Sequence, residues 1–208
     1  MSALLTRRRT LIAGAAALAA PAARARAAAG AAWVAVTTDK GVILLALASE
    51  KAPVTTANFL RYVDARRFDG ASFYRAVRSH GDPTSGLIEG GLQNDPGKLF
   101  APIAHESTTM TGLSHQDGTI SMARYAPGTA TADFFICAGP APYLDAHPDA
   151  PGDNAGYAAF GQVIRGMDVV RAILALPTNG VARNPVMQGQ ILSPPVAIVT
   201  VRRAEGAR

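Results

Sequence analysis

Apolar and polar residues occur in short blocks along the chain, and the first blocks predict a hairpin followed by a helix. Residues 32–38 and 42–48 are apolar runs rich in β-prone residues, and the turn-forming residues 39–41 separate them. Pro53 then begins a segment in which apolar side chains recur every three or four positions, and Gly70 ends it. That period places the apolar side chains on one face of an α-helix.

The rest of the chain predicts a mainly β fold. One further helical stripe runs from Met167 to Leu174, and Pro177 stops it. Many short strands with two helices are typical of a closed β-barrel or of a β-sandwich, and periodicity alone does not choose between them. The strand-like runs are residues 71–77, 87–91, 119–123, 134–138, 158–164 and 196–201.

Three long connections interrupt this pattern, at residues 78–86, 139–156 and 178–195. Turn-forming residues are frequent in all three, so we predict irregular loops there. Loops of this size in a small domain often carry function, and plain surface decoration is the alternative.

The first 27 residues predict an export signal rather than a part of the fold. Arg7-Arg8-Arg9 form a charged region, a weakly apolar Ala-rich stretch follows, and Ala25-Arg26-Ala27 fits a small-residue cleavage site. Residues 6–11 have the twin-arginine form of a bacterial signal, which we favour, and an ordinary Sec signal is the alternative. We expect residues 28–208 to be one periplasmic or secreted domain with no stable membrane insertion after cleavage.

Charge and cysteine content exclude further classes of function. The full chain has 20 basic and 15 acidic residues, but residues 1–27 hold five arginines and no acid, which leaves 15 of each sign in residues 28–208. A balanced mature domain gives no basis for nucleic-acid binding. The single cysteine, Cys137, lies in an apolar run and cannot form an intramolecular disulfide, so we predict a buried thiol.

Six short segments carry a family resemblance through their order and spacing. They are Ser72-Phe73-Tyr74-Arg75, Ile88-Glu89-Gly90-Gly91, Gly118–Arg124, Asp133–Ile136, Tyr143-Leu144-Asp145 and Gly156–Gly161. Together, over about residues 33–177, they resemble the cyclophilins, which are peptidyl-prolyl cis-trans isomerases. The resemblance implies a closed eight-stranded antiparallel β-barrel with a helix over each open end. It also implies proline-containing polypeptides as partners and no metal or cofactor, and we expect a monomer.

Arg75 matches the family's catalytic arginine. Twisting a prolyl amide removes its conjugation, at a barrier of about 18–20 kcal/mol, and leaves a lone pair on the prolyl nitrogen. A fixed cation beside that nitrogen stabilises the twisted state, and arginine suits this role because it stays charged and planar. Taken alone, an arginine on a strand edge is more often a solvated surface residue.

Further positions of the resemblance predict the substrate groove. Apolar residues for the proline slot are Leu87, Ile88, Phe135 and Leu144, although apolar residues on strands are usually core. Strand alternation directs Phe134 to the core instead. Ala123 and Arg124 resemble the segment that lies under the substrate backbone, Tyr157 resembles a rim residue, and Tyr74 stands where many relatives have histidine.

Two positions depart from the family pattern. Glu89 and Asp133 stand where the family usually has glutamine, and an ionised carboxylate only accepts hydrogen bonds whereas glutamine also donates. Glu89 should lie within reach of the Arg75 guanidinium, on the strand beside it. Reduced activity is therefore expected, and these two residues favour the alternative of a weakly catalytic or non-catalytic proline-peptide-binding or chaperone module. A second alternative is a structural or assembly protein that acts through its long loops.

Other catalytic or metal chemistry has little support in the sequence. The four histidines lack metal-ligand spacing, so we predict isolated surface or core residues. Asp145, Asp149 and Asp153 lack the alternation of a calcium loop, which predicts a solvated acidic loop. Ser85 and Ser121 have neither a nucleophile elbow nor an evident base, which disfavours a hydrolase.

Changing Arg7 and Arg8 together to Lys should block export, because the twin-arginine signal is read by a receptor as an address. Immunoblots of periplasmic and cytoplasmic fractions measure the outcome, and mass spectrometry of exported wild type should find a new N-terminus at Ala28. Normal export of the double Lys variant would assign the signal to the Sec class instead.

Overall fold

Eight antiparallel strands close on one another to form a β-barrel, in a computed structural model that describes residues 32–205. The predicted export signal, residues 1–27, lies outside the described residues. Around the barrel the order is β1-β2-β7-β5-β6-β4-β3-β8, and β8 pairs back with β1. The strands are β1 Ala32–Thr38, β2 Gly41–Leu47, β3 Ala71–Ser79, β4 Asp82–Gly91, β5 Thr119–Met122, β6 Phe134–Ala138, β7 Ala158–Arg165 and β8 Ile191–Ala204.

Two helices close the barrel core from opposite ends. Helix α1, Pro53–Asp64, follows the end of β2, and helix α3, Met167–Leu174, lies at the other end, where Val169 contacts Gly41 in the β1–β2 turn. The predicted eight-stranded barrel with two helices is confirmed, and a single-turn helix α2, Thr108–Thr111, is an addition to it. Within the described part of the chain, no helix is long and apolar enough to cross a membrane.

Aromatic rings of the helices and strands meet in the barrel interior. Phe59 of α1 packs against Phe68, Phe134 and Phe160, with ring centroids 5.2, 5.4 and 5.3 Å apart. All four rings are fully buried, so each contributes on the order of 1.5–3 kcal/mol from removal of apolar surface from water. Phe134 faces inward, as its place in the strand alternation predicts.

The segment 78–86 is part of a hairpin, and the prediction of an irregular loop there is wrong. Strand β3 continues to Ser79, the chain turns at Gly81, and β4 begins at Asp82. Gly86 has a φ of 149°, and a Cβ there would lie 1.9 Å from the Val77 carbonyl oxygen, so only glycine lets the strands pair this closely. Most side chains of the segment are polar and exposed, so its sequence lacks the apolar residues that would indicate a strand.

The start of α1 is capped from a distant loop. Ala52 precedes the helix and offers no side-chain acceptor. Instead the buried carboxylate of Glu106 accepts hydrogen bonds from the backbone N–H groups of Val54 and Thr55, at 3.1 and 2.7 Å, and from the Thr55 hydroxyl at 2.7 Å. The contact satisfies two helix N–H groups that have no partner inside the helix, and it joins the loop around Glu106 to the start of α1.

Candidate active site on the outer face of the barrel

Three neighbouring strands place a basic, an acidic and an aromatic residue side by side on the outer face of the barrel. In the ladder Arg75 of β3 is opposite Glu89 of β4, and Glu89 is opposite Phe135 of β6. Successive side chains on a strand point to opposite faces, so these three side chains lie outside while Phe134 and Ile136 fill the interior.

Beside this row lies an apolar cluster that is separate from the barrel core. Its buried members are Phe135, Cys137 and Ala141. The rings of Phe135 and Tyr157 make a T-shaped contact, with their centroids 5.4 Å apart. The partly exposed side chains that complete the cluster are Leu87, Ala123, Leu144 and Tyr157. All four, with Phe135, are among the residues that the sequence predicted for the groove.

Ile88 is the exception among the apolar residues predicted for the proline slot. Its side chain is fully buried in the barrel core, among the residues that face inward. The physical reason is strand alternation, because Leu87 and Glu89 on either side of it point outward. Ile88 therefore packs behind the groove and does not line it.

The guanidinium of Arg75 has two partners. Nη1 donates to Glu89 Oε2 at 2.7 Å. The carboxylate therefore lies within reach of the guanidinium, as the family resemblance predicted. Nε and Nη2 both donate to Gln190 Oε1, at 2.8 and 2.5 Å. Gln190 was missed by sequence reasoning, because it lies 115 residues from Arg75 in the last long connection and no motif marks it.

Tyr74 is a second hydrogen-bond partner of the Glu89 carboxylate. Its hydroxyl donates to Glu89 Oε1 at 2.9 Å, so both oxygens of the carboxylate have a partner. Burial, followed by the charge of Glu89, raises the pKa of the Tyr74 phenol far above its usual value, and the phenol stays protonated and able to donate. The two contacts hold Glu89 in place beside Arg75.

A buried histidine lies beneath the apolar cluster, where the sequence predicted only isolated histidines. The ring of His115 stacks on Phe135 with centroids 5.8 Å apart and an interplanar angle of 15°. Its Nδ1 lies 2.5 Å from Asp145 Oδ1, and its Nε2 lies 2.9 Å from the Ser121 hydroxyl. Ser114 also donates to the Asp145 carboxylate, at 2.5 Å.

The hydrogen-bonded arrangement of Ser121, His115 and Asp145 has a structural role, and Ser121 is not a nucleophile. Ser121 and His115 are both fully buried, so the Ser121 hydroxyl does not reach a substrate in the groove. Burial lowers the pKa of His115 more than its contact with Asp145 raises it, so the ring is neutral at pH 7. Burial raises the pKa of Asp145, but hydrogen bonds from Ser114 and His115 outweigh it, and the carboxylate stays ionised. The pair holds Leu144 and its loop against Phe135.

Arg124 anchors the other end of the same loop. Its guanidinium donates to the Gly156 carbonyl at 2.6 and 2.8 Å and to both oxygens of Asp153 at 2.7 and 3.0 Å. It also lies over the Tyr157 ring, 5.1 Å from the centroid. Asp145 and Asp153 are thus both bound at the rim of the groove. The prediction of a solvated acidic loop is wrong for Asp145, whose side chain is mostly shielded, whereas Asp153 remains exposed to solvent.

The Asp133 carboxylate binds backbone N–H groups, whereas the sequence predicted that it would bind substrate in the groove. Its buried carboxylate accepts from the N–H groups of Gln93 and Asn94 at 2.9 and 3.1 Å. Both residues have a positive φ, 52° and 55°, which costs free energy, and the carboxylate offsets that cost. Gln93 therefore belongs to this turn, and its amide donates at 3.4 Å to Ser72.

The site offers polar positioning groups and an apolar slot. Burial raises the pKa of the Cys137 thiol to about 12, so it remains a neutral packing group. No three His, Cys, Asp or Glu side chains between residues 32 and 205 are arranged to hold a metal ion. A planar cation at the edge of an apolar slot, on a rigid barrel face, can hold an extended peptide and stabilise charge that develops next to a seated ring.

These features define a class of protein, a closed β-barrel with a fixed arginine beside an apolar slot on its outer face. The sequence profile of one family matches residues 33–201, and its description is cyclophilin type peptidyl-prolyl cis-trans isomerase. The chain therefore belongs to the cyclophilin family of peptidyl-prolyl cis-trans isomerases, and the resemblance seen in the motifs is confirmed.

Individual relatives agree with this assignment. A peptidyl-prolyl cis-trans isomerase of Acinetobacter baylyi is 34% identical over 168 residues, which cover 79% of this chain and 81% of the relative. Peptidyl-prolyl cis-trans isomerase B of Escherichia coli is 33% identical over 146 residues, covering 68% and 84%. The crystal structure of a cyclophilin of Cryptosporidium parvum matches 86% of this chain and 100% of its own, with a TM-score of 0.65 and 17% identity, and shows the same fold.

Asp133→Asn should remove a pH-dependent part of the stability. Burial, opposed by the Gln93 N–H and reinforced by Glu89, raises the pKa of Asp133 to about 6. An unfolded aspartate has a pKa of about 3.9, so between these values the native state binds a proton that the unfolded state has lost. Wild-type stability should therefore fall as pH rises from about 4 to about 6, by at most about 3 kcal/mol from this residue.

Urea unfolding of wild type and Asp133→Asn at several pH values from 4 to 7 measures this effect as a difference. The His115 contribution, which lowers stability as pH falls, is present in both proteins and cancels. The exposed Asp149→Asn is the matched control and should run parallel to wild type. Parallel curves for Asp133→Asn as well would show that the residue does not titrate in this range.

Proposed function

We propose that this protein accelerates the cis-trans isomerisation of prolyl bonds in exported proteins, by electrostatic stabilisation of the twisted amide and without a covalent intermediate. Arg75 is the proposed catalytic residue. The observation that carries the proposal is the position of its guanidinium, fixed on the outer barrel face one ladder position from Glu89 and two from Phe135.

In the proposed mechanism the proline ring lies in the apolar slot formed around Phe135, Leu87 and Leu144. Burial of the ring there provides binding free energy, and the segment Ala123-Arg124 lies along the substrate backbone. As the amide twists, its nitrogen becomes pyramidal and gains a localised lone pair, which the Arg75 cation and its N–H groups stabilise. Because this interaction forms only in the twisted state, it raises the rate and not simply the affinity.

Two observations support proline-containing chains as substrates and the cell exterior as the place of action. A cyclophilin of Cryptosporidium parvum with the same fold was crystallised in the presence of the dipeptide Ala-Pro. The twin-arginine and cleavage patterns in residues 6–27 support export of the mature domain to the periplasm or beyond, where it would act on newly exported chains as a monomer.

A second candidate function is the binding of proline-containing segments with little catalysis. The observation that favours it is the 2.7 Å ion pair between Arg75 and Glu89. A carboxylate in contact with the guanidinium uses a donor and offsets part of the positive charge that the prolyl nitrogen would feel. Catalytic rate, measured beside affinity for the same proline peptide, separates the two candidates.

Arg75→Ala should lower kcat/KM by about 10²- to 10³-fold, which corresponds to about 3–4 kcal/mol for one preorganised donor. A protease-coupled assay with a proline tetrapeptide measures the rate. The assay is run well below the melting temperatures of both proteins, because removal of Arg75 leaves the buried Glu89 carboxylate without its cation and should lower stability. The exposed Arg183→Ala is the matched control. Equal rates for Arg75→Ala and wild type would remove Arg75 from the mechanism.

Glu89→Gln should raise kcat/KM on a neutral proline peptide by about tenfold, or about 1.4 kcal/mol of recovered transition-state stabilisation. The variant retains an acceptor for Arg75 and removes the charge that opposes the cation. Any preference of wild type for Lys or Arg beside the proline should weaken in the variant, because the carboxylate is the nearby anion. Glu50→Gln, an exposed change of the same kind, is the control. If neither rate nor preference changes, Glu89 has no part in the groove.

A further inference from the structure

Gln190 holds the guanidinium of Arg75 from a part of the chain that no motif of the groove includes. Its side-chain oxygen accepts from Arg75 Nε at 2.8 Å and from Nη2 at 2.5 Å. These two donors lie on one edge of the guanidinium, so a single oxygen accepts two hydrogen bonds from that edge. The contact joins the last long connection to the proposed catalytic residue.

Backbone contacts fix the position of Gln190. Its carbonyl accepts from the N–H of Ala76, the residue after Arg75, at 2.9 Å, and its own N–H donates to the Met187 carbonyl at 3.0 Å. A short 3-10 turn, Pro185–Met187, precedes it, and Gly189 has a φ of 76°, which glycine adopts without strain. The next residue, Ile191, begins β8 opposite Arg75. The side chain thus projects from a structured turn.

The two partners of Arg75 together fix the plane of the guanidinium and leave donors for a substrate. Hydrogen bonds leave all three nitrogens, from Nη1 to Glu89 and from Nε and Nη2 to Gln190. Guanidinium has five N–H groups, so one remains on each of Nη1 and Nη2. A group held in this way loses little conformational entropy when a substrate binds, which is the basis of preorganised catalysis.

Gln190 and Glu89 differ in what they do to the charge of Arg75. Both accept hydrogen bonds, but the amide of Gln190 is neutral and leaves the positive charge of the cation in place. The amide nitrogen of Gln190 is directed to the Val186 carbonyl, at 3.4 Å, within its own turn. We propose that Gln190 is a positioning residue for isomerisation, which orients the Arg75 guanidinium towards the groove without neutralising it. This inference rests on the catalytic role proposed for Arg75.

The test is Gln190→Met, which keeps the length of the side chain and removes the acceptor. We expect kcat/KM to fall by about tenfold, mainly through kcat, because the apolar slot that binds the proline ring is unchanged. Gln188→Met is the matched control, the same substitution at an exposed position of the same connection, and should behave as wild type. In NMR spectra the Arg75 Nε–H should exchange faster with water in Gln190→Met than in either other protein.

Gln190→Met in the Arg75→Ala background distinguishes a failure of the positioning role of Gln190 from a failure of the catalytic role proposed for Arg75. If Gln190 acts through Arg75, the double variant should be no slower than Arg75→Ala alone. An additive loss in the double variant would overturn the positioning role, as would wild-type kcat in Gln190→Met while Arg75→Ala is slow. Wild-type activity of Arg75→Ala would instead overturn the proposed function of Arg75, and the inference about Gln190 with it.

Discussion

The two-residue period of side chains in a closed barrel is the constraint on which the rest of this structure depends. Each strand near the groove carries one set of side chains into a filled interior and the other onto the outer face. Phe134 and Phe135 illustrate the result, since the first packs among core aromatics and the second forms the centre of the outer cluster. Closure leaves no free strand edge, so a binding face on the outside of the barrel must be built from side chains and attached loops.

The outer face combines the Arg75 cation, the proposed catalytic group, with a carboxylate that restrains it. Glu89 contacts the Arg75 guanidinium directly and receives a hydrogen bond from Tyr74, so its position is fixed on two sides. Gln190 supports the other edge of the cation through a neutral oxygen. The site is thereby rigid in geometry and moderate in charge, which suits the role proposed for Arg75 in stabilising a twisted prolyl amide.

Buried or half-buried polar contacts keep the long connections against the barrel. Asp145 is bound to His115 beneath Phe135, Asp153 is bound to Arg124 at the rim, and Asp133 holds a turn of strained backbone. Asp133 and Asp145 are largely shielded from water and would be costly to bury without a partner, while Asp153 is exposed. All three partners are distant in sequence. These contacts place Leu144 and Tyr157 at the apolar slot, so loop geometry and slot geometry are set by the same ion pairs and hydrogen bonds.

Strand and helix periods, which are local properties of the sequence, predicted a mainly β fold with two main helices. The order and spacing of the motifs, through the resemblance to the cyclophilins, implied the closed barrel and most residues of the outer cluster. The sequence also predicted the contact of Glu89 with Arg75, since both lie on consecutive strands. It misplaced Ile88, because the register of that segment decides which face a side chain takes. The role of Gln190 and the pairing of His115 with Asp145 were decided only by the tertiary structure, because barrel closure and loop packing join residues that are distant along the chain.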